Sequence, residues 1–498
     1  MKINGNRVAP PGMFVFGIFA ALTGCGSVPN NNTPVTSNAT TVTAAASNLD
    51  TEIDTTGQVA TFTTASSLSE TGPFFTALGA NTRTCATCHE LSQGLSISAA
   101  SAQALFTSSN GADPLFNAVD GANCPTATTG NSTTHSLMLS KGLVRIAITL
   151  PSTAQFTLAA TLDPYGCAVG ANSSGAQVVS VYRRPLPASG LNFLSSVMWD
   201  TRETGSPLTS AATFSANLTA DLTAQALDAI STHEQGTTAP SQSQVAALVA
   251  FELGLFTAQT NDSAAGSLVA NGATGGPANL AAIAYSPGIN DSIGGTPPGS
   301  TFNPNVFNLF TAWNGSSVAQ QASIARGENI FNTAPLTISN VPGINDNPAL
   351  GNPKQLRASC SFCHDTPNVG SRSTPLTMDT GTSHTASAEA DPNIVAGLAA
   401  LNVASLPIYQ ITGCTSTITG KATTYSTSDP GAGLFTGQCS DLNRTKVPSL
   451  RGLAARAPYF HGGSADTLAQ LVAFYNARFQ MNLSPPQQAD LVNFLNAL

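Results

Sequence analysis

The chain has 498 residues with 18 Lys+Arg against 26 Asp+Glu, so 9% are charged, where an ordinary soluble domain carries about 25%. Its 42% hydrophobic content supplies cores for two or three domains at ~150 residues each and excludes wholesale disorder. The net charge of −8 lacks the basic footprint that phosphate backbones require, and no apolar run reaches the ~20 residues that span a bilayer; nucleic-acid binding and a transmembrane anchor are excluded.

Lys2 and Arg7 precede a short apolar stretch over 13–22, a signal-peptide pattern. The stretch closes on Leu22-Thr23-Gly24-Cys25, which resembles the lipobox of bacterial lipoproteins. A lipoprotein signal peptide over 1–24 and lipidation of Cys25 are expected, with Gly26 rather than Asp directing the protein to the outer membrane. Plain secretion with a free Cys25 is the alternative, and both imply export to an oxidising compartment. Residues 25–60 hold few large side chains and predict a flexible tether.

Four of the nine cysteines stand in Cys85-Ala86-Thr87-Cys88-His89 and Cys360-Ser361-Phe362-Cys363-His364. Two thiols three positions apart can form thioethers to the two vinyl groups of one haem, while the adjacent imidazole reaches the iron. Two covalent haem c groups are therefore expected, with His89 and His364 as iron ligands. A four-cysteine zinc site, a dithiol redox pair or structural disulfides would have no use for the repeated His. Besides Cys25 this leaves Cys124, Cys167, Cys414 and Cys439. Sequence order pairs Cys124 with Cys167 and Cys414 with Cys439.

The motifs divide the chain into an N-terminal cytochrome c-like domain over 61–257, a linker or surface excursion over 258–305, and a C-terminal cytochrome c-like domain over 306–498. In the first, residues 98–106, 191–199, 220–232 and 243–257 read as helices, and the β-branched runs 143–150 and 156–162 as a hairpin insertion. In the second, 318–331 leads as a helix and 366–440 is mostly loop. Asp466 is expected to cap a helix carrying Leu468, Leu471, Val472, Tyr475 and Phe479 on one face, and Ser484-Pro485 opens the last. The expected fold class is mainly α, with one haem in each helical domain, long loops and a small β-hairpin in the first.

These pentapeptides, with Met198-Trp199-Asp200-Thr201-Arg202-Glu203 and Val447-Pro448-Ser449-Leu450-Arg451-Gly452 running into Ala457-Pro458-Tyr459-Phe460-His461-Gly462-Gly463, resemble the bacterial di-haem cytochrome c peroxidase and MauG superfamily. The resemblance covers about residues 70–498. It implies a peroxidatic N-terminal haem, electron entry at the C-terminal haem, Trp199 as a relay between them, and His461 near the inter-haem region. Tyr475 stands fourteen residues after His461, where MauG-like oxidases carry Tyr and the peroxidases Met. It is the candidate sixth ligand of the C-terminal haem, and a phenolate there favours more oxidised iron. The alternatives are a core tyrosine and ligation by Met481. After a shift, the family's Gln, Pro and catalytic Glu align with Gln225, Ala229 and Gln235. Cleaving peroxide needs a proton carrier rather than an amide, so the adjacent His233 and Glu234 are the acid/base candidates. Calcium between the domains is a further implication of the family, but Arg184 and Arg456 occupy ligand positions and oppose a dication. His135 and His384 lack motif partners and read as packing or surface residues; Met138, Met198 and Met378 read as core.

The leading expectation is an exported di-haem c-type peroxidase that reduces hydrogen peroxide with electrons from a small redox protein. A MauG-like or rubber-oxygenase-like oxidase acting on a protein or organic substrate is the runner-up, and a pure electron-transfer cytochrome the third. Membrane contact is expected only through the lipid anchor, and a homodimer is compatible with the sequence.

Overall fold

The computed structural model describes residues 47–128, 130–294, 301–386 and 391–498. The signal peptide, Cys25 and most of the predicted tether lie outside the described residues. Strands β1 (Leu49–Ile53) and β2 (Gly57–Thr63) pair antiparallel, so ordered structure begins inside that tether. The Asp54 carboxylate closes their turn by accepting from the backbone N–H of Thr56 at 2.7 Å and of Gly57 at 2.9 Å. A 3-10 turn at Cys85–Thr87 leads to α1 (Ala99–Ser109), capped by Ser98, and to α2 (Ser136–Lys141). Then come β3 (Val144–Thr149), β4 (Thr157–Leu162), β5 (Val169–Ala171), β6 (Gln177–Arg183), α3 (Phe214–Thr232) and α4 (Gln242–Leu253). β7 (Leu255–Asp262), β8 (Gly266–Ser267), α5 (Pro277–Ala281) and α6 (Ala319–Thr333) follow. The C-terminal part holds β9 (Leu336–Ile338), β10 (Leu356–Ala358), α7 (Cys360–Cys363), β11 (Thr377–Met378) and α8 (Pro392–Leu398). It continues through β12 (Ile408–Thr415), β13 (Ala422–Thr427), α9 (Ala432–Thr436), β14 (Thr445–Lys446), α10 (Leu468–Arg478) and α11 (Pro485–Asn496).

With 31% helix and 17% strand, the fold is mixed rather than helical with one hairpin. The runs read as a hairpin, β3 and β4, belong to different sheets: β3 pairs with β6, and β4 pairs with β12. A two-stranded hairpin leaves too much apolar surface bare to be stable alone. Here the sheets β3-β6-β5 and β13-β12-β4 enclose one core of Ile148, Phe156, Leu158, Val179, Val181, Tyr409 and Ile411. Cys124 is bonded to Cys167 and Cys414 to Cys439 beside it. This layer joins segments on both sides of the predicted linker, because β4 precedes that linker and β12 follows it.

Other boundaries moved for local reasons. Residues 191–199 hold only the 3-10 turn Leu191–Phe193, since Gly190 (φ 64°) and Met198 (φ 66°) adopt left-handed conformations that a helix cannot contain. α4 stops at Leu253, and 255–262 instead forms β7, which pairs with β2 and so fills part of the predicted linker. Thr467, not Asp466, caps α10 by accepting from Gln470 N–H; the Asp466 carboxylate instead meets Lys141 Nζ at 2.5 Å. The largest core packs α6 against α11 around Phe307, Phe310, Trp313, Phe331 and Phe494. Each such buried side chain contributes roughly 1.5–3 kcal/mol. Gly327 permits the close approach, since a Cβ there would lie 2.0 Å from the Asp490 carbonyl oxygen.

Candidate functional site

The two pentapeptides fold alike. His89 Nδ1 donates to the Leu95 carbonyl at 2.9 Å, and His364 Nδ1 donates to the Gly370 carbonyl at 2.6 Å. A carbonyl can only accept, so Nδ1 carries the proton and Nε2 keeps its lone pair, the form that binds a metal. Both acceptors lie six residues beyond the His, and both are left-handed, with φ 56° at Leu95 and 70° at Gly370. At Gly370 a Cβ would also come within 2.8 Å of the Phe307 ring. Burial lowers the basicity of both imidazoles, that of His364 to about 4. It pushes the Cys88, Cys360 and Cys363 thiols up to about 12 and Cys85 well above its usual value. Neutral buried thiols are the opposite of a reactive dithiol, and the two pairs line separate cavities, so they cannot join in one four-cysteine zinc site.

The first cavity, about 1450 Å³ with the open space at its mouth included, is lined by Cys85, Cys88 and His89. α3 lends Gln225, Ala226 and Ala229 to the same wall. Of the acid/base candidates, His233 lines the cavity, and its Nδ1 is hydrogen-bonded to Asp120, which Arg83 also holds. Burial works to raise the Asp120 pKa, but its bonds with His233 and Arg83 keep that carboxyl below the usual range. Glu234 lines the cavity too, with Oε2 accepting from the N–H of Leu78 at 2.8 Å and Gly79 at 3.0 Å. That clamp fixes the loop leading into the first motif. Gln235 does not line the cavity; it ends α3 in a left-handed conformation (φ 53°) on the surface. Sequence reasoning missed Glu252, which reaches the same cavity from α4, 7% exposed and with no hydrogen-bond partner for Oε2.

The second cavity, about 1500 Å³ with the open space at its mouth included, is lined by Cys360, Cys363, His364, Tyr475, Met378 and Met481. Tyr475 stacks on Phe479 at 5.7 Å and meets the edges of Phe460 and Phe474. Burial raises its phenol, and no hydrogen bond opposes that effect. Trp199, Arg184, Lys446 and Ser449 line both cavities. Trp199 donates Nε1–H to the Arg184 carbonyl at 2.8 Å and meets His461 at 6.1 Å in a T-shaped contact. His461 Nε2 lies 3.8 Å from Asp429, and burial holds its pKa down against the pull of that carboxylate. Behind Trp199, Arg183 bridges Asp200 at 2.5 Å and Asp429 at 2.7 Å in the buried interior. His135 is fully buried and hydrogen-bonds the carbonyls of Asn131 and Phe116, while His384 pairs with Asp379 at 2.7 Å.

A haem c at each motif fits these walls: a thiol pair and an unprotonated imidazole nitrogen open on an apolar cavity in both places. The seam between them supplies positive charge without carboxylate partners. Among the described residues, Lys446 Nζ donates only to the Ser196 carbonyl, and Arg184 and Arg456 donate only to backbone carbonyls. Burial brings the Lys446 ammonium down to about 7. Unpaired buried cations are costly, and the carboxylates of haem propionates would satisfy them. Calcium does not fit there, because the Arg184 guanidinium already takes the Arg456 carbonyl at 3.0 Å. Among the described residues no group of three or more His, Cys, Asp or Glu could hold a metal ion, and no helix is long and apolar enough to cross a membrane.

No family profile matches the chain. It is 40% identical over 78 residues to the cytochrome c551 peroxidase of Nitrosomonas europaea, covering 15% of this chain and 23% of that one. It is 38% identical over 78 residues to the cytochrome-c peroxidase IdrP2 of Pseudomonas sp. (strain SCT), covering 14% and 21%. Over that segment the chain is similar to cytochrome c peroxidases. It spans about a fifth of the length of these curated relatives. A solved MauG-like protein associated with microbial copper homeostasis is similar at 13% identity and a TM-score of 0.28, over 67% of this chain and 79% of that one.

Proposed function

We propose that the chain is an exported di-haem c-type cytochrome peroxidase of the cytochrome c peroxidase and MauG superfamily. It would reduce hydrogen peroxide at the first cavity with electrons entering at the second. The observation that carries this reading is that each Cys-x-x-Cys-His motif opens on its own apolar cavity and the two cavities meet at Trp199. When bound, haem c supplies an iron that exchanges electrons and, where one position stays open, reduces peroxide. Cys85 and Cys88 hold the first group and His89 orients it; Cys360, Cys363 and His364 do the same in the second cavity. Trp199, pinned by Arg184 and touching His461, is the aromatic link between them. His233 and Asp120 connect the first cavity to solvent, since the His233 side chain is 36% exposed, and can move protons inward. The small redox donor, the lipid anchor at Cys25 and attachment to the outer membrane belong to the same reading.

Tyr475 favours a second reading, a MauG-like or rubber-oxygenase-like oxidase acting on a protein or organic substrate, because it lines the second cavity without a hydrogen bond to hold its phenol. Electron paramagnetic resonance of the resting ferric holoprotein, with and without peroxide, tests both. A high-spin, peroxide-responsive signal with donor-dependent turnover supports the peroxidase. Two low-spin, peroxide-inert signals would overturn both readings and leave an electron-transfer cytochrome.

A further inference from the structure

Three carboxyl groups line the first cavity, and two are engaged. Asp120 is held by Arg83 and His233, and Glu234 by the N–H groups of Leu78 and Gly79. Glu252 is the third, more than nine-tenths buried and without a partner for Oε2. A capping box of Ser241 and Gln244 fixes the start of α4, and Leu248 and Val249 bury the face that carries Glu252 inward. A carboxylate left alone in an apolar wall is costly, and nothing in the fold of this helix requires one there.

We propose that Glu252 is the redox-linked proton site of the first cavity, taking up a proton when the group bound there is reduced and releasing it on oxidation. The inference rests on the haem reading above. One electron arrives from a one-electron donor protein by way of the second cavity, and one proton passes from solvent to the Glu252 carboxylate. Oxidation returns both, so charge balances in each direction. The driving force is local charge: a bound haem would add a positive charge to the cavity when oxidised and lose it on reduction, and the Glu252 carboxyl answers by releasing or taking a proton.

The surroundings leave Glu252 responsive to that change. Burial alone raises its pKa, to about 8. α4 packs on α3, on the turn Pro73–Phe75 and on the turn Leu191–Phe193, and neither turn carries a titratable group. On α3, Asp221 accepts from the N–H groups of Gly205 and Ser206, while Asp228 is exposed. Beyond the end of α3, His233 and Glu234 are bonded as described. Cys85 senses the charges of Glu252 and Glu234, and thioether formation removes that thiol from titration. Arg83, Arg183, Arg184, Arg202 and Lys446 line the same cavity, and among the described residues their ion pairs and hydrogen bonds go to other groups.

The test uses the full holoprotein, after mass spectrometry has shown haem on both motifs. The midpoint potential of the first haem is measured against pH, together with the reduced-minus-oxidised infrared difference spectrum. In the wild type the potential falls as pH rises, by up to one proton per electron, and reduction creates a protonated-carboxyl C=O band that shifts in D2O. Glu252→Gln flattens the pH dependence and removes the band. Glu252→Asp keeps both with the pH window displaced, and Glu234→Gln keeps both. Persistence of the slope and band in Glu252→Gln overturns the proposal. Should Glu252→Gln fail to load haem, a Glu252→Asp protein whose slope, band and pH window all match the wild type overturns it equally. Haem missing from the first motif of the wild type would instead sink the haem reading itself.

Discussion

The two cavities have the same anchor and differ in their walls. Each begins with two thiols and an imidazole pinned to a carbonyl six residues on. The first is then ringed by ionisable groups, namely Arg83, Asp120, His233, Glu234 and Glu252. The second has Arg184, Arg456, Lys446 and His461 in its lining but, among the described residues, no carboxylate, and is otherwise walled by Phe331, Phe460, Phe479, Tyr475, Leu471 and the methionines Met378 and Met481. Equal anchoring in unequal surroundings teaches that the attachment motif sets where a haem sits, whereas the wall sets what it can do. Proton carriers suit bond cleavage, and an aromatic wall without carboxylates suits holding an electron.

The largest effect separates anchoring from wall. Cys360→Ala with Cys363→Ala is expected to remove one covalent haem per chain, read as the loss of one haem mass, with the first haem spectrum retained. The mirror pair, Cys85→Ala with Cys88→Ala, should leave the second haem alone and abolish peroxide turnover. Two haems retained in either double variant would break the comparison at its root.

Tyr475→Phe asks whether the second wall supplies a ligand or only packing. A change in the second haem's spectrum with the first unaltered is expected if the phenol reaches the iron. An unchanged spectrum assigns Tyr475 to its stack with Phe479 and leaves Met481 as the available side chain.

Lys446 belongs to both cavities. Its pKa is down from 10.5 to about 7 in the fold because burial disfavours the ammonium. In protein without haem, the unfolded chain therefore binds a proton that the fold rejects between these values. Stability should fall as pH drops from 10.5 to about 7 and stay level below, where both states are protonated. Lys446→Met should remove that slope and raise stability at pH 7 by a few kcal/mol, measured by denaturant unfolding. Haem loading, which adds carboxylates, should shrink the gain. An equal gain in loaded and unloaded protein would show that nothing anionic meets Lys446.

Anchoring was legible in the sequence because it depends on fixed short spacing. The pentapeptides, and the helices with strong period and caps at Ser98 and Ser484, could be read from neighbours alone. The walls could not. Glu252 sits in an apolar helical run, and only tertiary packing reveals that its carboxyl has no partner. The strands β4 and β12 pair across more than two hundred residues; the β-branched run of β4 announced a strand without its partner, so β3 with β4 looked like a hairpin, and β12 lay in a stretch read as loop. Arg184 likewise appeared in sequence as an obstacle to calcium; folded, it is a cation bonded to the Arg456 carbonyl.

The smallest predicted effect concerns Gln235, where family alignment and geometry disagree. The alignment puts it at the catalytic acid position of the first cavity, yet its backbone is left-handed at φ 53°, its side chain is on the surface, and Gly236 N–H returns to the Ile230 carbonyl at 2.9 Å to close α3. This is the geometry of a helix terminator, the position at which glycine is favoured. Gln235→Gly relieves the left-handed cost while giving the unfolded chain more freedom, so a net gain of about 0–1 kcal/mol is expected. Thermal unfolding reads that gain, and peroxide turnover should be unchanged because no atom of Gln235 lines the cavity. A fall in turnover without loss of stability would return chemistry to this position and make the first wall resemble the family more than its geometry does.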